Sequence, residues 1–315
     1  MLLIIGGTGY VGGYILEALE GKMPRSEVRI MAREGADLDK LRSQGYGAAP
    51  GSITNLDDVR RAMQGVDTVI NLVAIIREVR SKGQTFDAVI GKGTENVAQA
   101  AKEAGVKHLI YMSALGATSE STGYFRGKMR GERAVKAAGV PYTIFRPSFL
   151  IGPGGEFTAL LKNLTAFPVV PVIGPGDYRI QPLYVRDVAR YFVQALDDER
   201  FLNQTLEVGG PETFEYNEMM RRTLAVQGKK GMLFNAPLFM VKPFVPVVEK
   251  VLPNLLNRDQ LTMLLEGSMT TDRRLEEWGG FEQTPFRRAI EIALKSPPPM
   301  TYAKAKMRPK HAGVS

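Results

Sequence analysis

A glycine-rich turn near the start of the chain limits its fold more than any other feature. The turn, Gly6–Gly12 (GGTGYVG), follows the apolar run Leu2–Ile5 and precedes a segment with a helical pattern, Tyr14–Glu20. Such a turn needs glycine where the chain bends tightly, where the backbone approaches a pyrophosphate and where the helix lies against the strand. The start of the helix then offers free N–H groups to phosphate. The pattern predicts a dinucleotide site, although a plain tight turn would also use glycines.

Strand and helix patterns alternate through the first half of the chain. After Leu2–Ile5, we predict strands at Val28–Ala32, Thr68–Val73, His108–Met112 and Tyr142–Phe145. The predicted helices between them are Tyr14–Glu20, Leu56–Met63, Thr94–Ala104 and Gly131–Ala138. Strands separated in this way form βαβ units, which build a parallel sheet. We therefore expect an α/β fold, a Rossmann-type doubly wound parallel sheet that binds ligands at the carboxyl ends of its strands.

The regular alternation stops after residue 150, where proline and glycine begin to interrupt the chain. A later helix, Val188–Leu196, and a short strand, Thr205–Val208, could return to the first sheet. We expect an NAD(P)-binding domain over residues 1–150, with returning segments near 183–208. The other parts would be a smaller C-terminal substrate or partner domain, mainly over 151–295, and a basic flexible tail over 296–315.

The residue after the second predicted strand bears on the choice of nucleotide. An NAD-binding Rossmann site places Asp or Glu here, on the ribose 2′-hydroxyl, whereas a cation accommodates a 2′-phosphate. This chain has Arg33. We expect NADP(H) to be the preferred cofactor, with NAD(H) as the alternative. A solvated arginine in a loop would carry no such preference.

Residue counts exclude several kinds of chemistry. The chain has no cysteine, which excludes disulfides, thiolate zinc sites and a cysteine nucleophile. It has only two histidines, His108 and His311, so a site built from several histidines is excluded as well. His108 precedes a strand and fits a surface or strand-entry residue. We expect no metal site.

The net charge of +8 is concentrated at the C-terminus, where five basic and no acidic residues follow position 294. A solvated terminus is one interpretation, and contact with an anionic membrane or a partner is another. We expect no nucleic-acid partner, because no basic face with interleaved aromatic residues occurs elsewhere. The apolar segment 232–256 is too interrupted by prolines and charges to span a membrane. Its part 232–244 would serve as core of the smaller domain, as a lid or as a membrane-facing surface.

Several segments resemble the short-chain dehydrogenase/reductase superfamily, in its extended and atypical branch. Besides the glycine turn, they are Gly93–Val97 (GTENV), Ile110–Ala114 (IYMSA), Tyr124–Lys128 (YFRGK), Arg146–Ser148 (RPS), Gln181–Ala189 (QPLYVRDVA) and Leu206–Glu212 (LEVGGPE). The likeness covers about residues 1–295 and is to NAD(P)-dependent epimerase/dehydratase-like and NmrA-like proteins. The last two segments, together with Arg258–Leu261, resemble bacterial relatives of the short-chain-dehydrogenase-like accessory subunit of respiratory complex I.

The resemblance implies a catalytic role for Tyr124 and Lys128. Four residues apart on a helix, they would share one face. The ammonium group would favour tyrosinate and lower the tyrosine pKa, so that Tyr124 could exchange a proton with a carbonyl or alcohol. In the family the lysine also holds the nicotinamide ribose. The residues expected at the cofactor are Gly6, Thr8, Gly9, Tyr10, Val11, Gly12, Arg33, Ser52, Ile53, Val73, Ala74, Ser113, Tyr124, Lys128 and Pro147.

Three positions depart from the family pattern. Leu115 stands where a catalytic serine or threonine is usual, and Ile90 stands where the pattern has an asparagine. Ser52 replaces an acidic residue that is common at the adenine edge. Most residues expected at the cofactor are thus retained, whereas the serine or threonine and the asparagine that usually take part in proton transfer are replaced by apolar residues.

Two functions are consistent with these residues. The first is an NADP(H)-dependent oxidoreductase, or an epimerase-like enzyme, that acts on a small and apolar carbonyl or alcohol. The second is a protein that holds NADPH with little or no turnover and serves a respiratory or membrane complex as a structural, assembly or sensor protein. The Tyr124–Lys128 pair favours the first, and the replaced serine and asparagine favour the second. We expect a cytoplasmic protein, and a peripheral membrane or respiratory-complex contact would use the tail and segment 232–256.

Overall fold

The computed structural model describes residues 1–33, 38–241 and 258–299. The strands are β1 (Leu2–Ile5), β2 (Val28–Ala32), β3 (Gly47–Pro50), β4 (Thr68–Asn71), β5 (His108–Met112), β6 (Tyr142–Pro147), β7 (Leu150–Ile151), β8 (Val169–Ile173), β9 (Arg179–Ile180), β10 (Leu183–Tyr184), β11 (Gln204–Val208), β12 (Phe214–Glu215) and β13 (Met232–Ala236). The α-helices are α1 (Tyr10–Leu19), α2 (Leu38–Ser43), α3 (Leu56–Met63), α4 (Gly93–Glu103), α5 (Gly123–Ala137), α6 (Glu156–Leu164), α7 (Val185–Gln194), α8 (Tyr216–Val226), α9 (Leu238–Val241), α10 (Arg258–Glu266), α11 (Arg274–Trp278) and α12 (Phe286–Lys295). A π-helical stretch, Asp87–Lys92, leads into α4.

A seven-stranded sheet forms the centre of the molecule, in the order β11-β6-β5-β4-β1-β2-β3. All of its neighbouring strands are parallel. The strand order reverses at β1, which lies between β2 and β4. A crevice opens at such a reversal, at the carboxyl ends of the strands. The prediction of a doubly wound α/β fold is therefore confirmed.

The side chains of β1 show how the apolar sequence forms two cores. Leu2 and Ile4 lie in the cluster on one face of the sheet, and Leu3 and Ile5 lie in the cluster on the other. All four are buried. Burying each contributes about 1.5–3 kcal/mol to folding. A strand buried on both faces reads as a continuous apolar run, which is the pattern that made β1 recognisable.

The smaller strands lie outside the central sheet. They form three two-stranded pairs, β7 with β10, β9 with β12, and β8 with β13. The long connection after β6 returns to the main sheet through β11, which pairs with β6. The division of the chain into domains near residue 151 stays a prediction. None of the helices in the described ranges has the length and apolar character needed to cross a bilayer.

Two predicted features fall wholly or partly outside the described residues. Of the basic tail, the structure describes only residues 296–299, and of segment 232–256 it describes only 232–241. Helix boundaries also differ from the sequence prediction, and α1 begins at Tyr10 rather than at Tyr14. Glycines conceal this start, because they weaken the apolar periodicity on which the prediction rests.

Candidate active site

The glycine turn joins the end of β1 to the start of α1. Gly6 has a φ of +90°, a conformation that favours glycine, and its carbonyl accepts a hydrogen bond from the Gly9 N–H at 2.9 Å. A Cβ atom placed on Gly12 would lie 2.6 Å from the Gly6 oxygen and from the Gly7 Cα and carbonyl oxygen. The helix therefore lies directly on the turn, and only glycine fits at this contact.

The start of α1 fits a phosphate group. Its N-cap residue is Gly9, which makes no side-chain hydrogen bond to the helix, and the first turn contains no acidic residue. The positive end of the helix dipole and the first N–H groups thus face the crevice without a neutralising side chain. Together with the close approach at Gly12, these residues fit a dinucleotide pyrophosphate. Thr8 lies within the turn, and Val11 is buried beneath it.

A second glycine turn packs against the first, which the sequence analysis did not predict. The hydroxyl oxygen of Tyr10 lies 2.7 Å from the Cβ position of Gly152 and 2.6 Å from that of Gly155. The Tyr14 hydroxyl donates a hydrogen bond of 2.8 Å to the carbonyl of Pro153. The turn after β7 is therefore glycine-rich because it receives a tyrosine from α1. The GPGG sequence was visible, but its partner is about 140 residues away.

The predicted adenosine side of the crevice follows β2 and β3. Arg33 comes directly after β2 and is exposed. The Ser52 N–H donates a hydrogen bond to the Asp58 carboxylate at 2.9 Å. Ile53 is buried, and its carbonyl accepts a hydrogen bond from Asn96 at 3.0 Å. These bonds fix the backbone at Ser52 and Ile53.

The end of β4 lies beside the glycine turn. A Cβ atom on Gly6 would be 3.2 Å from a methyl group of Val73, so Val73 contacts the turn. The buried Asn71 accepts a hydrogen bond from the Val73 N–H at 3.2 Å and donates one to Thr94 at 3.3 Å. Ala74 follows and is exposed. Asn71 thus shapes this edge of the crevice, a role that the sequence analysis missed.

Tyr124 and Lys128 lie on one face of α5, as their spacing predicts. The helix is capped by Thr122, whose side chain accepts a hydrogen bond from the Phe125 N–H. The Lys128 ammonium lies 5.8 Å from the centre of the Tyr124 ring and 5.0 Å from that of Tyr111. It donates a hydrogen bond of 2.6 Å to the Met112 carbonyl at the end of β5. The pair is therefore held against the carboxyl edge of the sheet.

The pKa values of this pair differ from the sequence expectation. Burial lowers the pKa of Lys128 to about 7, although the Glu132 carboxylate opposes this change. Burial raises the pKa of Tyr124 to about 12. We expected the lysine charge to lower the tyrosine pKa, but that prediction is wrong for this geometry. The lysine hydrogen bond goes to the Met112 carbonyl, and loss of solvent is the dominant effect on the phenol.

Ser113, at the end of β5, binds a buried carboxylate on α5. Its hydroxyl donates a hydrogen bond of 2.5 Å to Glu132, which also accepts two from Arg146 at 2.9 and 2.7 Å. Ser113 and Glu132 are both buried. Glu132 follows Lys128 by one helical turn, so helix periodicity could have placed it on this face. The sequence analysis did not assign it a role.

The departures from the family pattern have structural counterparts. Leu115 donates its N–H to the carbonyl of Pro147 at 3.0 Å, which joins the loop after β5 to the end of β6. Ile90 is fully buried within the π-helical stretch. A Cβ atom on Gly127 would lie 3.2 Å from that of Ile90. Neither Leu115 nor Ile90 has a side-chain group that could relay a proton.

Comparisons with known proteins identify similar sequences and folds. A protein family described as NAD(P)H-binding matches residues 6–199. The mouse protein described as NADH dehydrogenase (ubiquinone) 1 alpha subcomplex subunit 9, mitochondrial, is 29% identical over 246 residues, which are 75% of this chain and 64% of that protein. The chain thus matches slightly less than two thirds of this relative's length. An isoflavone reductase homologue from Nicotiana tabacum is 30% identical over 239 residues, 70% of this chain and 71% of that protein.

Solved structures share the fold. The structure described as an NADPH-dependent quinone oxidoreductase complexed with NADPH, from Escherichia coli, superimposes with a TM-score of 0.75. The two sequences are 21% identical, and the match covers 92% of this chain and 98% of the other. Over nearly its whole length the chain therefore adopts an architecture that occurs in known proteins.

Proposed function

The chain belongs to the NAD(P)H-binding family, and from that premise we propose that it is an NADP(H)-dependent oxidoreductase acting on a small, apolar carbonyl or alcohol. One observation carries the proposal, namely the Tyr124–Lys128 pair held at the carboxyl edge of the sheet by the bond from Lys128 to Met112. A protein that only holds the cofactor could use the buried lysine for the nicotinamide ribose, whereas the tyrosine beside it adds a group that can donate a proton.

The glycine turn and the start of α1 would hold the pyrophosphate, and Arg33 would face the 2′-phosphate of the adenosine ribose. The register of the sheet supports the second assignment. Ile5 pairs with Met31, so Arg33 lies level with the beginning of the glycine turn on the neighbouring strand. Val73 and Pro147 would flank the cofactor at the ends of β4 and β6. The bound cofactor supplies the hydride.

Tyr124 would act as the proton donor. With a pKa of about 12, the phenol remains protonated at neutral pH, which suits a general acid in the direction of carbonyl reduction. Lys128, with a pKa of about 7, changes charge near neutral pH. Its ammonium form would donate hydrogen bonds to the nicotinamide ribose, which is the role that this lysine has in the family that the chain resembles. The rate of reduction should therefore depend on the protonation of Lys128.

Apolar side chains around Tyr124 favour an apolar substrate. The Tyr124 ring contacts the edge of Phe86 at a centroid distance of 6.0 Å. Ala114, Ala117 and Phe125 form a small buried cluster against which Tyr124 and Met263 pack. The descriptions of two similar proteins, as a quinone oxidoreductase and an isoflavone reductase homologue, agree with such a substrate.

The substitution Tyr124→Phe tests this proposal. We expect the turnover of NADPH with a panel of quinones and other apolar carbonyls to fall about 100-fold or more, which is the usual contribution of a general acid. NADPH affinity should change little, because the ring remains. Tyr142→Phe, at the opposite end of the sheet, is the matched control. Full turnover by Tyr124→Phe would contradict the assignment.

A second candidate function is supported by the likeness to the mouse NADH dehydrogenase subunit. In this alternative, the chain holds NADPH with little turnover and serves a respiratory or membrane complex. Leu115 and Ile90, which cannot relay protons, are consistent with it. Native extracts distinguish the candidates, because a complex subunit would be recovered in a large assembly, whereas a free enzyme would be recovered on its own.

A further inference from the structure

An apolar face lies on the outside of the two-stranded pair formed by β8 and β13. The apolar ribbon face consists of exposed side chains from these strands, the segment before β8 and α9, namely Phe167, Val169, Pro171, Met232, Phe234, Phe239 and Met240. Phe239 is 77% exposed, Met232 is 67% exposed and Phe234 is 54% exposed. Such large aromatic and apolar side chains are seldom left in water without a binding role.

The register of the two strands explains why Val169, Pro171, Met232 and Phe234 form one surface. Val169 pairs with Met232, and Pro171 pairs with Phe234, so the outward residues of both strands stand side by side. The alternate residues Val170 and Val172 are fully buried in the core. A half-buried ribbon of this kind ordinarily has polar residues on its outer face. Here the outer face is apolar as well.

Exposed large hydrophobic side chains of the described residues are concentrated in this face. In the described part of the chain, nine large hydrophobic side chains are exposed, and six of them belong to this face. The other three, Met1, Val79 and Met269, lie far from it in sequence. Scattered apolar residues need no explanation, but a cluster marks an interaction surface.

Basic residues border the apolar ribbon face. Lys229 and Lys230 directly precede β13, and Lys162 lies on α6 before β8. The Lys229 ammonium donates a hydrogen bond of 3.0 Å to the Thr165 carbonyl, which places it at the base of the ribbon. The sequence contains no acidic residue over 157–176 or 227–241. The charged residues within these two stretches are therefore all lysines, and Glu156 and Asp177 adjoin the first stretch.

We propose that the apolar ribbon face docks onto lipid bilayers that contain anionic lipids. Aromatic and aliphatic side chains would enter the boundary between headgroups and acyl chains, while the bordering lysines would contact anionic headgroups. The charge pattern disfavours a second copy as the occupant. In a two-fold dimer the same patch meets itself, which would bring like charges together. This proposal does not depend on the oxidoreductase function.

Vesicle binding by the full chain tests the proposal. The protein should sediment with phosphatidylcholine vesicles that contain phosphatidylglycerol, and more weakly with phosphatidylcholine alone. Met232→Asp combined with Phe234→Asp should abolish binding to both. Lys230→Glu should weaken binding to anionic vesicles about tenfold or more, since each surface charge is worth about 1 kcal/mol. Val79→Asp, at an exposed apolar residue elsewhere, should bind like the unmodified protein.

A second measurement leaves the fold unperturbed and uses the absence of cysteine from the sequence. Phe239→Cys, labelled with a polarity-sensitive dye, should show a blue-shifted emission when anionic vesicles are added. Val79→Cys should show none. Equal responses at the two positions, or no vesicle binding by the unmodified protein, would overturn the proposal. Self-association without lipid that Phe234→Asp abolishes would also overturn it, and would assign the face to a second copy.

Discussion

Gly12→Ala should weaken both folding and nucleotide binding, although alanine is the better helix former. In an exposed helix interior, replacing glycine by alanine stabilises by about 1 kcal/mol. At Gly12 the new methyl group would lie 2.6 Å from three main-chain atoms of Gly6 and Gly7. Main-chain atoms cannot rotate away, so α1 or the turn must shift. Overpacking of this kind costs about 1–3 kcal/mol. After the gain in helix propensity is subtracted, we expect a net loss of up to about 2 kcal/mol in the free energy of unfolding.

Nucleotide binding should also weaken, because the shift occurs at the atoms that approach the pyrophosphate. We expect NADPH affinity to fall at least about tenfold, which corresponds to about 1.4 kcal/mol. Denaturant unfolding gives the first quantity, and fluorescence titration of folded protein gives the second. Gly47→Ala is the matched control, because its methyl group would contact Arg29 at an ordinary 3.4 Å. A stable Gly12→Ala variant with unchanged NADPH affinity would refute the proposed contact with the pyrophosphate.

Three further predictions concern charged groups. Arg33→Asp should lower the ratio of NADPH affinity to NADH affinity about tenfold or more, because it removes a charge-assisted contact worth about 1.5–3 kcal/mol. Parallel titrations with the two nucleotides measure this ratio, and an unchanged ratio would exclude Arg33 from the 2′-phosphate site. Glu132→Gln should move the Lys128-dependent limb of the pH–rate profile to lower pH, because the Glu132 carboxylate raises the pKa of Lys128. A limb that stays at the same pH would show that Glu132 has no influence on the pKa of Lys128. Burial lowers the pKa of His108 to about 4 from 6.5, so stability should fall by about 3 kcal/mol as pH drops through this interval. Urea unfolding should show this loss, and His108→Gln should lack it.

The sequence predicted those features of the structure that depend on residues close together in the chain. The glycine turn, the buried strands and the shared face of Tyr124 and Lys128 each depend on neighbouring residues, and the structure contains all three. The short strand β3 was missed, since its sequence, GAAP, has no apolar alternation. Local patterns therefore identified the fold and the main elements of the candidate site.

Features that depend on distant residues could not be predicted in this way. The pKa of Lys128 depends on its burial beneath Tyr111 and Tyr124, and Ser113 binds Glu132 from another element. His108 was expected at the surface or at the start of a strand; it begins β5, and it is buried, with its ring 2.8 Å from the Thr143 hydroxyl. Each of these outcomes is decided by which elements pack together, and the spacing of residues along the chain does not encode that.

The pairing of β8 with β13 shows the same limit. The two strands are about 60 residues apart, and only their register places Val169 beside Met232 and Pro171 beside Phe234. Segment 232–256 is apolar in sequence, and core, lid and membrane surface were all possible roles for its part 232–244. The structure places Met232 and Phe234 outside the core, which removes the first option for these two residues.

The nucleotide that copurifies with the protein, and the rate at which it is released, would test the proposed function most directly. A hydride-transferring oxidoreductase must exchange its cofactor in every cycle, so we predict NADP(H) that exchanges within seconds. NADP(H) retained through dialysis would contradict turnover by cofactor exchange and would favour the structural or sensing role. Bound NAD(H) would contradict the assignment of Arg33. No binding on titration would contradict the nucleotide site itself.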